Sequence, residues 1–568
     1  MITRHTTDVL VLGAGLAAAR AVVALRKANP ALRVVVATRD EPGEGGSSAH
    51  NLVGTVAIQA PGFSSRDPDD AGVLALEIAA GGGDVDHRLA NVLARGAAAA
   101  LRELIGHDKL ELVTRYDDTA LLTQSQFSDQ TRTYHLPLDQ LRKALRAAFR
   151  NDPQVDVRPH TRAITLLRNA AGRCIGALLL SRDGRIIEML ARVTLLATGG
   201  AAGLFAHSLA HPDLLGDGWT LAADAGAQLA NLEFVSYVLA GRRSGHQLEV
   251  VPVERFRRDS LHPLITDAAG NDIIEAALPD LVDRAKAFRR RSEMPAFTIG
   301  SIAQRIDLAI LQANRRHDDP ARPGVPSVKV SLDGGPLYTE VAHHAWSTAG
   351  GVVVNRHGFT GVPGLFAAGE VTTGMLGAQP PGGTDAAVAL VFGALAGAAM
   401  AAEVAGVHHD GGRIDDVPVY DGLQVFDDPA APMADREVVK AMRLFAASTL
   451  PIKPHEALRG QFVLRRDAWR ATLPSLGEAL ANPDGESRWA ALDIHFAFAT
   501  LQRMVRATLA RTTSLGPVLM DDALDTDGIT LTAEQVFDNT ERQVVTIDDD
   551  EAAKWSGGDD DGAGSSGE

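Results

Sequence analysis

Two glycines and an alanine near the N-terminus have the types and spacing that bind a dinucleotide. Gly13, Gly15 and Ala18 form the pattern G-x-G-x-x-A. The first glycine permits a tight turn, the second lets the backbone approach a pyrophosphate, and the small third residue lets a helix pack closely on a strand. The N-terminus of the following helix stabilises phosphate charge. The pattern therefore predicts a dinucleotide site.

Segments further along the chain favour FAD over NAD. The strand after the glycine motif ends in ATRD, residues 37–40, without an acid directly at its tip. VTLLATGG at 193–200 and GLFAAGE at 364–370 follow far downstream. They are typical of strands that return to the sheet of a flavoprotein. FAD is therefore the expected cofactor.

The glycine motif needs a strand before it and a helix after it, and the sequence supplies both. An apolar β run covers Asp8 to Leu12, a segment with helical periodicity reaches about Ala28, and a second strand follows at Arg33 to Ala37. This order predicts a βαβ unit. Elsewhere, helix is expected at about 86–106 and over 433–512, hairpin strands over 157–198, and an irregular lobe rich in arginine and proline at about 236–345.

Composition limits the classes of protein that this chain can belong to. With 568 residues and 45% hydrophobic content, it can fill two or three packed units. The formal charge of −16, without a concentrated basic face, argues against nucleic-acid binding. Cys174 is the single cysteine, which excludes an internal disulfide and an iron–sulfur cluster held by several thiolates of this chain. We predict no metal site.

An apolar run at 386–406 and the two chain ends bear on localisation. The run is rich in alanine and glycine and lies within a globular pattern, so a buried helix is expected there and no membrane association. The first residues lead directly into a strand, which favours a cytoplasmic protein. The last 21 residues carry eight acids and one lysine, and they are expected to be disordered.

Six longer motifs give the sequence a family resemblance. They are VLGAGLAAARA, EGGSSAHNLVG, LLATGGAAGLF, GDGWTLAADAGAQLANLEFV, TAGGVVVNRHGFTGVPGLFAAGE and LARTTSLGPVLMDD, and they span roughly 8–522. With these motifs the chain resembles the succinate dehydrogenase, fumarate reductase and L-aspartate oxidase flavoprotein family, and its layout is most similar to that of L-aspartate oxidase.

The resemblance implies a fold and a division into domains. The implied fold class is α/β, with a doubly wound, Rossmann-like FAD-binding domain, an inserted capping domain and a helical C-terminal domain. The expected bounds are 1–235 and 346–405 for the FAD-binding domain, 236–345 for the capping domain, 406–530 for the helical domain and 531–568 for the acidic tail.

The resemblance also implies which residues contact FAD. Noncovalent FAD is expected, because no histidine stands at an evident covalent position, although His50 lies in the corresponding loop. The implied cofactor-binding residues are Gly13, Gly15, Leu16, Ala17, Ala18, Arg39, Ser47, Ser48, Asn51, Gly54, Thr198, Gly199, Gly200, Asp217, Glu370, Asp385 and Ala386.

The chain departs from the family where the dicarboxylate enzymes hold their substrate with histidines and arginines. Gly300 stands at the proton-transferring arginine, and Arg305 matches only a later, structural one. The other replacements in the expected substrate pocket are Val238 and Trp346 at two histidines, and Leu376, Gln379 and Pro380 at a histidine, an asparagine and the clamp arginine. A buried carboxylate costs several kcal/mol unless it is paired. The substrate is therefore expected to be less charged or more aromatic than a C4 dicarboxylate.

Three residues near the expected substrate face could move a proton. The resemblance places His343, His344 and Tyr237 on segments close to the flavin, and a histidine suits proton transfer near neutral pH. Each also has a structural interpretation. The histidines could form a polar edge of the lobe, Tyr237 could be a packing residue, and Trp346 could be either a stacking wall or part of the core.

These observations predict an FAD-dependent oxidase or dehydrogenase that takes a hydride from a C–N or C–C bond of a small organic molecule. The electron acceptor, O2 or a redox partner, and the oligomeric state are left open. Two alternatives remain at this point. One is a flavin-binding scaffold or subunit without turnover, and the other is a genuine L-aspartate oxidase or fumarate reductase.

Overall fold

The computed structural model describes most of the chain. The described residues are 2–50, 53–64, 71–115, 120–121, 123–124, 128, 130–150, 152–253, 256, 263–293, 301–317, 319, 322, 324–332, 337–406, 433–450, 455–511, 515 and 517–518. Three of the predictions above, on Asn51, on Gly300 and on the tail at 531–568, lie outside the described residues.

Strands build four sheets in the described part of the chain. They are β1 (Thr3–Leu12), β2 (Val34–Ala37), β3 (Thr55–Gln59), β4 (Thr123–Gln124), β5 (Thr131–Pro137), β6 (Val155–Arg158), β7 (Thr161–Arg168), β8 (Cys174–Ser181), β9 (Ile186–Leu196), β10 (Leu229–Ala230), β11 (Val235–Arg243), β12 (Gln247–Val250), β13 (Leu264–Thr266), β14 (Lys329–Ser331), β15 (Leu337–Thr348), β16 (Gly351–Val353), β17 (Leu365–Ala367) and β18 (Thr372–Thr373).

Helices connect these sheets and form the C-terminal part. They are α1 (Leu16–Ala28), α2 (Ala71–Ala80), α3 (His87–Asp108), α4 (Leu138–Arg150), α5 (Asp217–Asp224), α6 (Ile273–Ala277), α7 (Leu281–Glu293), α8 (Gln304–Arg316), α9 (Thr384–Gly406), α10 (Glu437–Thr449), α11 (His455–Thr472), α12 (Leu476–Ala481) and α13 (Gly485–Ala510).

The largest sheet has seven strands and carries β1 near its centre. Its order is β6-β2-β1-β9-β8-β7, and β17 also pairs with β9. The strands β6, β2, β1, β9 and β17 are joined by parallel pairings. Residues Val9 to Leu12 are almost fully buried, as expected for a strand covered on both faces. Because parallel strands end at one edge, the glycine motif after β1 lies beside the ends of β2, β9 and β17.

Helices α1 and α9 pack against each other through small residues. A Cβ atom at Gly393 would lie 2.6 Å from the carbonyl oxygen of Ala17, and one at Gly397 would overlap the backbone of Ala21. Among the described residues, only α9 is long and apolar enough to cross a membrane, and 72% of its most apolar window is buried inside the protein. A core helix passes the same test, so α9 is weak evidence for a membrane span.

The described part of the expected capping lobe is regular rather than irregular. Five strands form one antiparallel sheet in the order β12-β11-β15-β14-β13, and α6 to α8 provide the helices. Leu239, Phe288, Ile306 and Val341 belong to a core separate from that of the FAD-binding region. Strand β11 was not predicted because Val235 to Gly241 are almost all buried and so show no alternation of apolar and polar residues before Arg242 and Arg243 end the strand.

The C-terminal region is helical, and α13 is its central element. Asp484 caps the N-terminus of α13 by accepting a hydrogen bond from the Ser487 amide at 2.7 Å. Trp489 and Phe496 are buried, and α13 packs against α5, α10 and α12. One of its faces therefore reaches the FAD-binding region. The domain boundaries stay predictions.

Candidate active site

The turn between β1 and α1 is shaped by residues that leave room for a ligand. Gly13 has φ +109°, and a Cβ atom there would overlap the carbonyl oxygen of Ala197. Gly15 is the N-cap of α1 and offers no side-chain cap, and the first turn of α1 contains no acid. The Ser48 hydroxyl accepts a hydrogen bond from the Leu16 amide at 3.0 Å. The helix N-terminus therefore opens onto a cavity with its positive dipole end.

A cavity beside this turn gathers most of the predicted cofactor residues. Its walls come from the carboxyl ends of the strands β1, β2, β9 and β17 and the N-termini of α1, α5 and α9. Thirteen of the seventeen predicted cofactor residues line it, and so does Trp346. They are Gly13, Gly15, Leu16, Ala17, Arg39, Ser47, Ser48, Thr198, Gly199, Asp217, Glu370, Asp385 and Ala386.

The other predicted cofactor residues lie behind or outside the cavity wall. Ala18 is fully buried within α1, where its small size serves helix packing. Gly54 is exposed and has φ +77°. Gly200 lies behind Glu370, and a Cβ atom there would overlap the side chains of Glu370 and Thr348. Asn51 is outside the described residues. His50 does not line the cavity; its ring meets that of His211 edge-on at 5.3 Å.

One end of the cavity lies at the tip of β2, where dinucleotide folds place the adenosine. Arg39 pairs there with Asp213 at 2.8 Å, and Arg162 donates to Asp217 at 2.6 Å. Burial lowers the pKa of Arg162, but the adjacent carboxylates of Asp217 and Asp493 raise it further than burial lowers it. Sequence reasoning missed Arg162. An arginine among the apolar residues of the strand TRAITLLR was the signal.

Another part of the cavity lining holds two carboxyl groups, Glu370 and Asp385, that form no ion pair with a described cation. Glu370 accepts hydrogen bonds from the Ser47 hydroxyl at 3.0 Å and the Thr348 amide at 3.1 Å. Burial, together with the charge of Asp385, raises the pKa of Glu370 to about 7. Burial also raises the pKa of Asp385 to about 6, against the effect of a hydrogen bond from Ser347. Both groups are therefore poised to exchange protons near neutral pH.

Unsatisfied polar atoms in the cavity wall fit the hydroxyl and amide groups of FAD. Thr198 Oγ1 and Asp217 Oδ1 are buried and have no hydrogen-bond partner among the described residues. The α1 N-terminus suits the pyrophosphate, and the acid Glu370 suits a hydroxyl donor. Gly13 and Gly15 provide the close backbone approach. The donor set therefore fits FAD.

A small cluster at the same cavity brings three metal-ligand types together. Asp40, His211 and Asp213 each offer one ligand atom, and these atoms lie within 4.8 Å of one another. Asp213 already pairs with Arg39. The acid therefore has a cationic partner in the protein itself, and the absence of a metal site stays a prediction.

The register between β11 and β15 decides which predicted substrate residues meet. Val238 is opposite His344, so their side chains share one face of the cap sheet, and Trp346 follows two residues later on β15 at a break in the register. Val238 packs with Leu209 and Trp346 in a small apolar cluster. This face leads to the cofactor cavity, because Trp346 lines it. It is the apolar wall that the replaced histidines predict.

His343 points to the other face of the cap sheet, into the cap core. Its Nε2 lies 2.8 Å from Asp307 Oδ1, and Asp307 also forms an ion pair with Arg291. Arg291 and Asp307 are fully buried, and His343 nearly so. The arrangement joins α7, α8 and β15. His343 therefore serves the packing of the cap rather than the cavity.

His344 and Tyr237 differ in what surrounds them. The Nδ1 of His344 donates to the Ala342 carbonyl oxygen at 3.1 Å, which leaves Nε2 as a hydrogen-bond acceptor. Burial lowers the pKa of His344 to about 3, and the neighbouring His207 contributes to the same shift. Tyr237 is buried against Phe205 at 5.7 Å, and burial raises its pKa. Neither residue lines the cavity directly, but His344 shares the face of Trp346.

The remaining predicted substrate residues do not reach the cavity. Leu376 and Pro380 are buried, Gln379 is half-buried, and none of the three lines the cavity. Gly300 is outside the described residues. Of the predicted substrate residues, the structure brings Trp346 to the cavity and Val238 beside it.

Comparisons with known proteins agree with this geometry. The model of the FAD binding domain family matches residues 8–385. The L-aspartate oxidase of Caulobacter vibrioides is 30% identical over 414 residues, 69% of this chain and 76% of the relative. An uncharacterized FAD-dependent oxidoreductase of Methanocaldococcus jannaschii is 26% identical, with 69% of this chain and 71% of the relative covered.

Solved structures share the fold. The Sdh1 complex of Mycobacterium smegmatis in the apo form has a TM-score of 0.70 at 21% identity, covering 92% of this chain and 89% of the other. A quinol fumarate reductase FrdA chain of E. coli has a TM-score of 0.69 at 16% identity, covering 91% and 92%. The chain therefore belongs to the FAD-binding flavoprotein family of the L-aspartate oxidases, and it is an FAD-dependent oxidoreductase.

Proposed function

We propose that this oxidoreductase oxidises a C–N or C–C single bond to a double bond, with a hydride taken from the carbon and a proton released from the neighbouring atom, in a small organic substrate that is less charged or more aromatic than a C4 dicarboxylate. Bound FAD supplies the hydride acceptor. The protein contributes a wall that orients the substrate and a polar atom that accepts a hydrogen bond from it. A cytoplasmic location stays a prediction.

The charge of the cavity lining is the observation that carries the proposal. Among its described residues, two are cationic, Arg39 and Arg162, and six are acidic: Asp40, Glu41, Asp213, Asp217, Glu370 and Asp385. Both arginines are already paired with carboxylates at the adenosine end. A C4 dicarboxylate that meets this lining beside FAD would therefore lose its hydration, and both described cations of the lining are already paired.

Trp346 and His344 supply the contacts that a less charged substrate needs. Trp346 offers an aromatic surface at the cavity wall, next to the apolar Val238. His344 stays uncharged at neutral pH because burial lowers its pKa. Its Nε2 is available to accept a hydrogen bond from a substrate N–H or O–H. We propose that His344 orients the part of the substrate that extends past the cofactor cavity along the face of Trp346, because His344 does not itself line that cavity.

Ligand-induced changes in the flavin spectrum of the purified holoenzyme test this proposal. The ligand panel contains neutral amides, aromatic amines, aromatic amino acids, succinate and L-aspartate. We expect an aromatic ligand to bind at least about tenfold more tightly than either dicarboxylate. We also expect Trp346→Ala to weaken that ligand, because it removes the aromatic wall. Tyr237→Phe is the matched control, since the Tyr237 ring packs on Phe205 away from the cavity.

Tight binding of succinate or L-aspartate together with weak binding of the aromatic ligands would overturn the proposal. In that case the chain acts as an L-aspartate oxidase or fumarate reductase, with substrate cations supplied from outside the described residues. An equal effect of Trp346→Ala and Tyr237→Phe would overturn the assigned role of Trp346.

A further inference from the structure

Helix α13 of the C-terminal region presents three residues to the adenosine end of the cofactor cavity. Trp489, Asp493 and Phe496 follow one another at intervals of four and three residues, so they share one face of α13. They contact the side chains of Arg39 and Arg162, which line the cavity. Residues distant by more than 300 positions in the chain thus meet at this site.

The Asp493 carboxylate holds both arginines. Its Oδ1 accepts a hydrogen bond from Arg162 Nη1 at 2.6 Å and lies 2.9 Å from Arg39 Nη1, while Oδ2 accepts from Arg39 Nη2 at 3.3 Å. Asp213 binds Arg39 from the other side, and Asp217 binds Arg162. The side chains of Arg162 and Asp493 are 4% and 13% exposed, so bulk water barely weakens this interaction.

Aromatic rings on the same face of α13 fix the orientation of the two guanidinium groups. The Trp489 ring centroid lies 5.7 Å from Arg39 Cζ and 5.4 Å from Arg162 Cζ. Phe496 lies 5.4 Å from Arg162 Cζ. A guanidinium held over a ring face by attraction and fixed at its edge by a carboxylate has little freedom to turn.

We propose that α13 is part of the cofactor site, with Asp493 and Trp489 as positioning residues that hold Arg39 and Arg162 against the adenosine half of FAD. The C-terminal helical region thereby contributes to cofactor affinity. Its contribution concerns the adenosine half alone, because the flavin end of the cavity is built by Glu370, Asp385, Ser347 and Trp346.

Binding of cofactor fragments to the apoprotein separates positioning from general stability. FAD and ADP contain the adenosine half, whereas FMN lacks it. We expect Asp493→Asn to raise the Kd for FAD and for ADP by about tenfold, the cost of a charge-assisted hydrogen bond, and to leave the Kd for FMN within about twofold. Asp224→Asn is the matched control, because Asp224 joins α5 to α13 through Arg503 at 3.0 Å without lining the cavity.

Two results would overturn the proposal. One is a Kd for FAD and ADP that stays within about twofold in Asp493→Asn. The other is a loss of FMN affinity as large as the loss of ADP affinity, which indicates general disorder. Hydrogen exchange of the wild-type apoprotein serves if the variant does not fold. In that experiment we expect FAD and ADP to slow hydrogen exchange in residues 485–500, and we expect FMN to leave it unchanged. Unchanged exchange in these residues with FAD would contradict the proposal.

Discussion

The two carboxyl groups at the flavin end of the cavity give a quantitative prediction for Glu370→Gln. The pKa of Glu370 is raised from 4.5 to about 7 by burial and by Asp385, a difference that corresponds to about 3 kcal/mol of unfolding free energy. We reduce this to about 2 kcal/mol, because the cavity admits water to one side of the carboxyl group. Glutamine keeps one acceptor oxygen, which can take the hydrogen bond from the Thr348 amide, and its NH2 group can donate to the Ser47 hydroxyl that now donates to the second oxygen; the change removes the titration.

The sign follows from proton binding. Between pH 4.5 and about 7 the folded protein retains the Glu370 proton, whereas the unfolded chain has lost it. The unfolding free energy therefore falls as pH rises through this range. From pH 5 to pH 8, we expect the unfolding free energy of the wild type to fall by about 2 kcal/mol more than that of Glu370→Gln.

Urea unfolding of the apoprotein at both pH values, followed by tryptophan fluorescence, measures this difference. Groups that do not interact with Glu370 cancel when the variant is compared with the wild type at each pH, whereas Asp385 is coupled to Glu370 and contributes to the measured difference. Glu437→Gln is the control, because Glu437 is exposed and pairs with Lys440 on the surface. An identical pH dependence in the wild type and in Glu370→Gln would refute the reasoning.

Two further changes test the cap and the cavity wall. Asp307→Asn removes the carboxylate that pairs with buried Arg291 and should lower the unfolding free energy by about 3 to 5 kcal/mol. Asp283→Asn, at an exposed pair with Lys286, should lower it by less than about 0.5 kcal/mol. Similar urea midpoints for the two variants would contradict the role of Asp307 in the cap core. Gly200→Ala would place a methyl group against Glu370 and Thr348 and should abolish FAD retention during gel filtration. Gly106→Ala, in open space on α3, should retain FAD. Retention of FAD by both variants would show that Glu370 and Thr348 move aside without loss of cofactor binding.

Most of the predicted cofactor residues line one cavity in the structure, and the sequence signals behind them are local. Gly13 and Gly15 act through backbone geometry within a few residues, and Glu370 and Thr198 follow strands with clear apolar runs. Such motifs locate the cofactor site in the sequence even when the contacts between distant segments are unknown. The cavity accordingly contains thirteen of the predicted cofactor residues.

The substrate half was harder to predict, because it depends on contacts between distant segments. Whether His343 or His344 faces the cap core is decided by the register of β15 against β11, and a shift by one residue exchanges the two faces. Asp307, which takes His343 into the cap core, lies 36 residues away on α8. The role of Asp493 depends on α13 docking at the tip of β2, which no local pattern signals.

The most direct test of the proposed specificity is an anaerobic absorbance spectrum of the holoenzyme during titration with L-aspartate and succinate. We predict that the absorbance band near about 450 nm, expected of any oxidised flavin, stays unchanged with both compounds and bleaches with dithionite. An aromatic or neutral amine identified by the binding panel should bleach it as well. Bleaching by L-aspartate or succinate at millimolar concentration would contradict the claim that this cavity rejects C4 dicarboxylates.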